Sequence, residues 1–223
     1  MIPELSKISS LYFDFDGVIA DTEQGRYNAY ADILKEYGID ITLRCQLNQI
    51  QGLTGTALME RYFPEFSLTE RKKIIRRRNE EYLSRLDHYC IPYPGVHETI
   101  RDLKGKGFFM ALTTANSTAV AKDLLKHLGI AEFFDVVYGL EICENPVTQK
   151  KDYSRIAELT GNHVSECIVI EDSPVGVSGA KQSGYFTIAF EHFPHPDISA
   201  YADLIVHNYN ELRQIFGLEP LKS

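Results

Sequence analysis

Five short apolar runs, each ending in or followed by a polar or glycine residue, constrain this chain more than any other feature. They are LYFDFD (11–16), FFMALTT (108–114), FFDVVYG (133–139), CIVIED (167–172) and YFTIAF (185–190). Runs this short and this continuously apolar read as strands buried on both faces, the pattern of a parallel sheet rather than of a half-solvated antiparallel one. Between them, residues 95–105, 118–128, 152–160 and 174–183 carry helical periodicity, and Gly129, Gly161 and Gly184 stand where such helices would stop. Alternating strands and helices predict an α/β fold, a doubly wound parallel sheet of Rossmann-like form. From Asp21 to Ile91 the alternation breaks, and helical periodicity continues without a buried strand until the stiff exit IPYPGV. The chain is therefore expected to hold an α/β core at 1–20 and 92–223, with an inserted α-helical cap domain at 21–91. Its 223 residues suit one core carrying a smaller insertion.

Open α/β sheets bind ligands outside the carboxyl ends of their strands. Four such ends carry polar side chains: Asp14 and Asp16; Thr113 and Thr114; the segment with Lys150 and Lys151; and Glu171 and Asp172. Two like charges about 4 Å apart repel by roughly 4 kcal/mol at an effective dielectric of about 20, so four gathered carboxylates need a cation or a proton. An all-oxygen set without His or Cys favours Mg²⁺, which also bridges to phosphate oxygens. A carboxylate attacking a phosphate needs its charge neutralised, which gives Lys150 or Lys151 a purpose. The Thr114 hydroxyl and the following backbone N–H groups, beginning at Ala115, are candidate donors to phosphate oxygens. Asp16, two residues beyond Asp14, is placed to protonate a leaving oxygen and then deprotonate water.

These residues carry a family resemblance. DFDGVIADTE (14–23) resembles the first motif of the haloacid dehalogenase superfamily, the strand end at Thr114 its second, and CIVIEDSPVGV (167–177) its last. The likeness runs from about residue 10 to residue 190 and is nearest to the β-phosphoglucomutase and phosphoglycolate phosphatase-like members with a helical cap. It implies that Asp14 forms an aspartyl-phosphate, that Asp16 is the acid/base with its backbone carbonyl on Mg²⁺, that Asp172 binds the metal with Glu171 assisting, and that Thr114 holds the transferring group. An Asp at position 16, in place of Tyr or Ala, favours the phosphatase and phosphomutase branches. The third motif of the family commonly sets Lys before Pro; ENPVTQKKDY (144–153) departs from that spacing, and of the two lysines the reading leans to Lys150. In the cap, the uncharged loop QGLTGT (51–56) offers Thr54, and Arg26 stands where the mutase branch has His. Arg26 and Thr54 are the candidate substrate contacts, and the neutral loop around Gly55 disfavours a mutase.

The expected activity is thus Mg²⁺-dependent hydrolysis of a small phosphorylated metabolite, such as a sugar phosphate, with a β-phosphoglucomutase-like phosphomutase as the alternative and a non-catalytic binding module as the reading of another class. A net charge of −8 opposes nucleic acid. The basic runs Arg71–Lys73 and Arg76–Arg78 read as one solvated helix face. Four scattered cysteines without metal-ligand spacing suit reduced thiols in a cytoplasm. MIPELSKISS has no signal-peptide form and no apolar run approaches a membrane span, so neither export nor membrane insertion is expected. A monomer is compatible with the sequence. His192 and His195, in EHFPHP, read as a surface loop.

Overall fold

The structure, a computed structural model, describes residues 4–50, 53–145, 150–192 and 196–222. Its principal sheet contains β1 (Ser10–Phe13), β2 (Phe109–Thr113), β3 (Val136–Tyr138), β4 (Cys167–Glu171), β5 (Phe186–Phe190) and β6 (Leu204–Val206), in the spatial order 6-5-4-1-2-3. All five neighbouring pairs are parallel. β1 lies at the centre, with Ser10 opposite Phe109 on one side and Cys167 on the other. Leu11, Tyr12, Phe13 and Ile168, Val169, Ile170 are fully buried, which is why these strands read as unbroken apolar runs. The strand order reverses between β1 and β4, so a crevice opens at their carboxyl ends where the chain leaves in opposite directions. The short β6 has no counterpart among the five predicted strands.

The chain divides into two compact units, residues 21–91 and the remainder. Strand pairs formed by Ala20–Asp21 and Ile91–Pro92 mark where it passes between them. The inserted unit is built on α1 (Glu23–Lys35), α2 (Gly55–Tyr62) and α3 (Leu68–Ser84), with shorter helical turns between. Tyr30, Ile33 and Leu34 of α1 share an apolar core with Leu58 and Met59 of α2 and Ile74 of α3. A reciprocal pair of bonds between Ser67 and Glu70 caps α3. The basic run on α3 does not form the single solvated face expected from the sequence. Successive residues step about 100° around a helix, so Arg77 reaches back to grip both oxygens of Glu36 at 2.7 and 2.8 Å while Arg78 lies over the Tyr30 ring at 4.6 Å.

In the larger unit follow α4 (Val96–Gly105), α5 (Thr118–His127), α6 (Tyr153–Thr160), α7 (Pro174–Gln182) and α8 (Tyr209–Ile215). Ser117, Asp152 and Ser173 cap α5, α6 and α7 through their side-chain oxygens, and Pro174 supplies the fixed φ suited to a first helical residue. These caps start three helices at one end of the sheet. No helix among the described residues is long and apolar enough to cross a membrane.

Candidate active site

Asp14 continues the ladder of β1 for one more rung, its N–H donating to Ile170 O at 2.9 Å, and the residue is 7% exposed. The chain then turns within its own backbone: the N–H groups of Ile19 and Ala20 return to Phe15 O at 2.8 and 3.2 Å, and that of Gly17 to Ala20 O at 3.0 Å. Gly17 has φ +78°, and a Cβ there would fall 1.8 Å from Asp172 Oδ2. Only glycine both adopts that backbone at low cost and leaves room for the carboxylate.

Asp14, Glu171 and Asp172 each present an oxygen within 4.8 Å of the others. The register of β1 against β4 brings them together, because parallel neighbours end side by side. Asp16, counted with these three on spacing, is not in this group of three, and its Oδ2 accepts from Asn116 Nδ2 at 2.7 Å.

Glu171 is 1% exposed and its oxygens are taken by donors. Oε1 accepts from Lys151 Nζ at 2.5 Å and Tyr153 Oη at 3.1 Å; Oε2 accepts from the N–H groups of Asp172 and Ser173 and from Ser173 Oγ at 3.0, 3.1 and 3.0 Å. Gly176, in the first turn of α7, makes this possible, since a Cβ there would lie 2.1 Å from the carboxyl carbon. Five donors make Glu171 an anchor for its neighbours. Lys151, 5% exposed, also donates to Asp14 Oδ1 at 2.7 Å, so its ammonium bridges two buried carboxylates. Lys151 thus reaches the cluster; the sequence leaned to Lys150, whose side chain is outside the described residues.

Charge follows geometry. Burial pushes the Asp14 carboxyl up to about 7, against the downward pull of Lys151 and with the added repulsion of Glu171 and Asp16. Burial, then the charges of Asp14 and Glu171, push Asp172 well above the usual carboxylate range. Glu171 goes the other way: burial would raise it, but the Lys151 ammonium and the donors from Ser173 hold it low. Two facing acids that resist ionisation together, in an all-oxygen setting, form a site a divalent cation would relieve.

Across the crevice, β2 ends at Thr113 and the chain turns to the Ser117 cap. Thr114 is fully buried, and its Oγ1 accepts from both the backbone N–H and Nδ2 of Asn116 at 3.1 Å. Asn116 therefore ties Thr114 to Asp16. The sequence reading passed over it, although its position two residues beyond a polar strand end was the available signal. Ala115 is half-buried between them. Gly139, after β3, lets the turn pack tightly: a Cβ there would meet Thr118 N at 2.3 Å, while Leu140 N–H holds Asn116 O at 2.8 Å.

Two predicted substrate contacts lie in the inserted unit. Thr54 Oγ1 caps α2 by accepting from Ala57 N–H at 3.1 Å, and Arg26, half-buried, lies 3.6 Å from Glu23. His192 is not the free surface residue expected. It is half-buried, stacked on Tyr93 at 4.5 Å, with Nε2 2.6 Å from Gly17 O. His195 falls outside the described residues.

The family model described as haloacid dehalogenase-like hydrolase matches residues 11–190. The chain belongs to that family. This haloacid dehalogenase-like hydrolase is 25% identical over 207 residues to a phosphoglycolate phosphatase of Caulobacter vibrioides, covering 90% of this chain and 87% of the relative. It is also 25% identical over 182 residues to a fructose-1-phosphate phosphatase of Escherichia coli, covering 80% and 94%. Among solved structures, a β-phosphoglucomutase of Clostridium difficile shares the fold with a TM-score of 0.73 at 23% identity, covering 94% of this chain and 97% of that one. The chain is an enzyme of the family, a hydrolase acting on phosphate esters.

Proposed function

We propose that this enzyme hydrolyses phosphate monoesters of small metabolites, sugar phosphates or short phosphorylated acids, through an aspartyl-phosphate on Asp14. The observation that carries the reading is the group formed by buried Asp14 and Glu171 and half-buried Asp172, with Lys151 bridging the first two, at the switch point of the sheet.

Asp14 Oδ attacks phosphorus as the bond to the ester oxygen breaks, and Asp16 supplies the proton that oxygen needs. Asp16 then accepts a proton from the water that attacks the aspartyl-phosphate, releasing inorganic phosphate and restoring both carboxyls. Lys151 balances charge on the transferring group. Thr114 Oγ1, already accepting twice from Asn116, has its own proton left to donate to a phosphate oxygen, beside the Ala115 N–H. Asp14, Asp172 and the Asp16 backbone carbonyl would hold Mg²⁺, with Glu171 fixing Asp172 and Lys151 from behind. When bound, the metal offsets the negative charge shared by nucleophile and phosphate. Selection of the metabolite falls to the inserted unit, where Arg26 and Thr54 are the candidate contacts.

The test is phosphate release from a panel of phosphorylated metabolites with Mg²⁺, alongside Asp14→Asn. Release that disappears in the variant supports hydrolysis through Asp14; release that persists refutes it. Conversion of β-glucose 1-phosphate to glucose 6-phosphate without free phosphate would replace hydrolysis by a mutase, in which the acceptor is a sugar hydroxyl.

A further inference from the structure

The loop between Asp14 and Ala20 turns its N–H groups inward, and three successive carbonyls are taken up by residues far along the chain. Gly17 O lies 2.6 Å from His192 Nε2, which must carry the hydrogen because a carbonyl can only accept. Val18 O accepts from Tyr209 Oη at 2.9 Å, and Ile19 O from the backbone N–H of Tyr93 at 3.2 Å. The three residues are joined by their rings. Tyr93 and His192 stack at 4.5 Å with planes 17° apart, and Phe190 lies 5.3 Å from His192, 5.1 Å from Tyr209 and 5.9 Å from Tyr93. Phe190 and Tyr209 are each 1% exposed, so the bracket is anchored in the core.

We infer that His192 is a positioning residue for Asp16, acting through the Gly17 carbonyl as part of an aromatic clamp completed by Tyr209 and Tyr93. Gly17 follows Asp16 directly, and its φ of +78° is one a glycine shares with many others unless its peptide groups are held. Its N–H is held by Ala20 O and its C=O by His192. Asn116 holds the Asp16 carboxylate, and the clamp holds the backbone from which that carboxylate projects. General acid catalysis contributes about 10²–10⁴-fold, and a displacement of about 1 Å can forfeit about 10²-fold. This inference rests on Asp16 as the acid of the proposed hydrolysis.

The test separates donor from ring and acid from nucleophile. His192→Phe keeps an aromatic ring beside Tyr93 and loses the donor; His192→Gln keeps an N–H at similar reach and loses the ring. Each is assayed for kcat/KM on p-nitrophenyl phosphate, whose leaving group departs without protonation, and on the best alkyl phosphate of the panel, whose leaving group requires it. His192→Phe is expected to lower kcat/KM at least about tenfold on the alkyl ester and less than about threefold on p-nitrophenyl phosphate, with His192→Gln recovering most of the difference. Tyr209→Phe, which removes one hydroxyl, should move the same ratio in the same direction and serves if the first variant folds poorly by circular dichroism. Equal losses on both esters, no loss on either, or no recovery with Gln overturns the inference. A wild-type chain inactive on every ester brings down the hydrolase reading, and this with it.

Discussion

Replacing Lys151 by Met removes the ammonium that bridges Asp14 and Glu171, at 2.7 and 2.5 Å, while keeping an unbranched chain of similar volume. Both carboxylates stay buried, and the loss of one partner from a buried pair costs about 3–5 kcal/mol. For a chain of this size each kcal/mol moves the unfolding midpoint by about 2–4 °C, so a fall of roughly 6–20 °C is expected at pH 8 in metal-free buffer, measured by circular dichroism or calorimetry. The effect depends on pH in a definite direction. Asp14 titrates at about 7 with Lys151 present, and losing the ammonium raises it further. A carboxyl whose folded value exceeds its unfolded value of about 4 destabilises increasingly as pH rises between the two, because ionisation is harder in the folded state. The variant's deficit therefore opens above pH 7 and narrows at pH 6, where Asp14 is protonated in both proteins. The Glu171 share persists to lower pH, since Lys151 holds that group below its usual range. Added Mg²⁺ narrows the deficit at pH 8 by supplying another positive charge to the same carboxylates. A fall smaller than about 3 °C at pH 8, or a deficit equal at pH 6 and pH 8, refutes the account of Lys151 as the neutralising charge.

Gly17→Ala should lose at least about 1–2 kcal/mol from the left-handed backbone alone; its Cβ would also sit 1.8 Å from Asp172 Oδ2, so Mg²⁺ should no longer raise its melting temperature. In the wild type, the Mg²⁺-induced rise in melting temperature should be larger at pH 8 than at pH 6, because Asp14 and Asp172 must shed protons to take a cation; a rise independent of pH would count against these two as ligands. Ser67→Ala breaks the capping box of α3 and should cost about 1 kcal/mol, or about 2–4 °C, with phosphate release unchanged; thermal melts and the phosphate assay check both halves.

Strands buried on both faces announce themselves, which is why β1, β2, β4 and β5 were legible as apolar runs and their ends as the place to find Asp14, Thr114 and Glu171. β6 was not, because Leu204–Val206 stands alone between Asp203 and His207, whereas the equally short β3 follows Phe133 and Phe134 closely enough to read as part of a longer run. Lys151 and Lys150 are adjacent and chemically alike in sequence, and the reach of Lys151 to Asp14 and Glu171 exists only once β1 and β4 are paired. Asn116 was missed because its contribution lies in the link it makes between Thr114 and Asp16, two residues that are neighbours only after β1 and β2 pair. His192 misled for a related reason: a histidine between Glu191 and a Phe-Pro pair resembles a surface turn until the ring stack with Tyr93 and the Gly17 carbonyl are seen.

The first strand made is the central strand of the finished sheet. Its hydrogen-bonding partners begin at Phe109 and Cys167, so during synthesis at a ribosome both of its edges stand open while the inserted helical unit is made, and one edge stands open until β4 follows. Long-range parallel pairing of this kind is slow and leaves apolar edges at risk of pairing with other chains. The same delay governs chemistry. Asp14 is made well before Asp172, so a nascent or truncated chain lacking β4 cannot assemble the carboxylate group, and the hydrolase comes into being only when the sheet closes around its oldest strand.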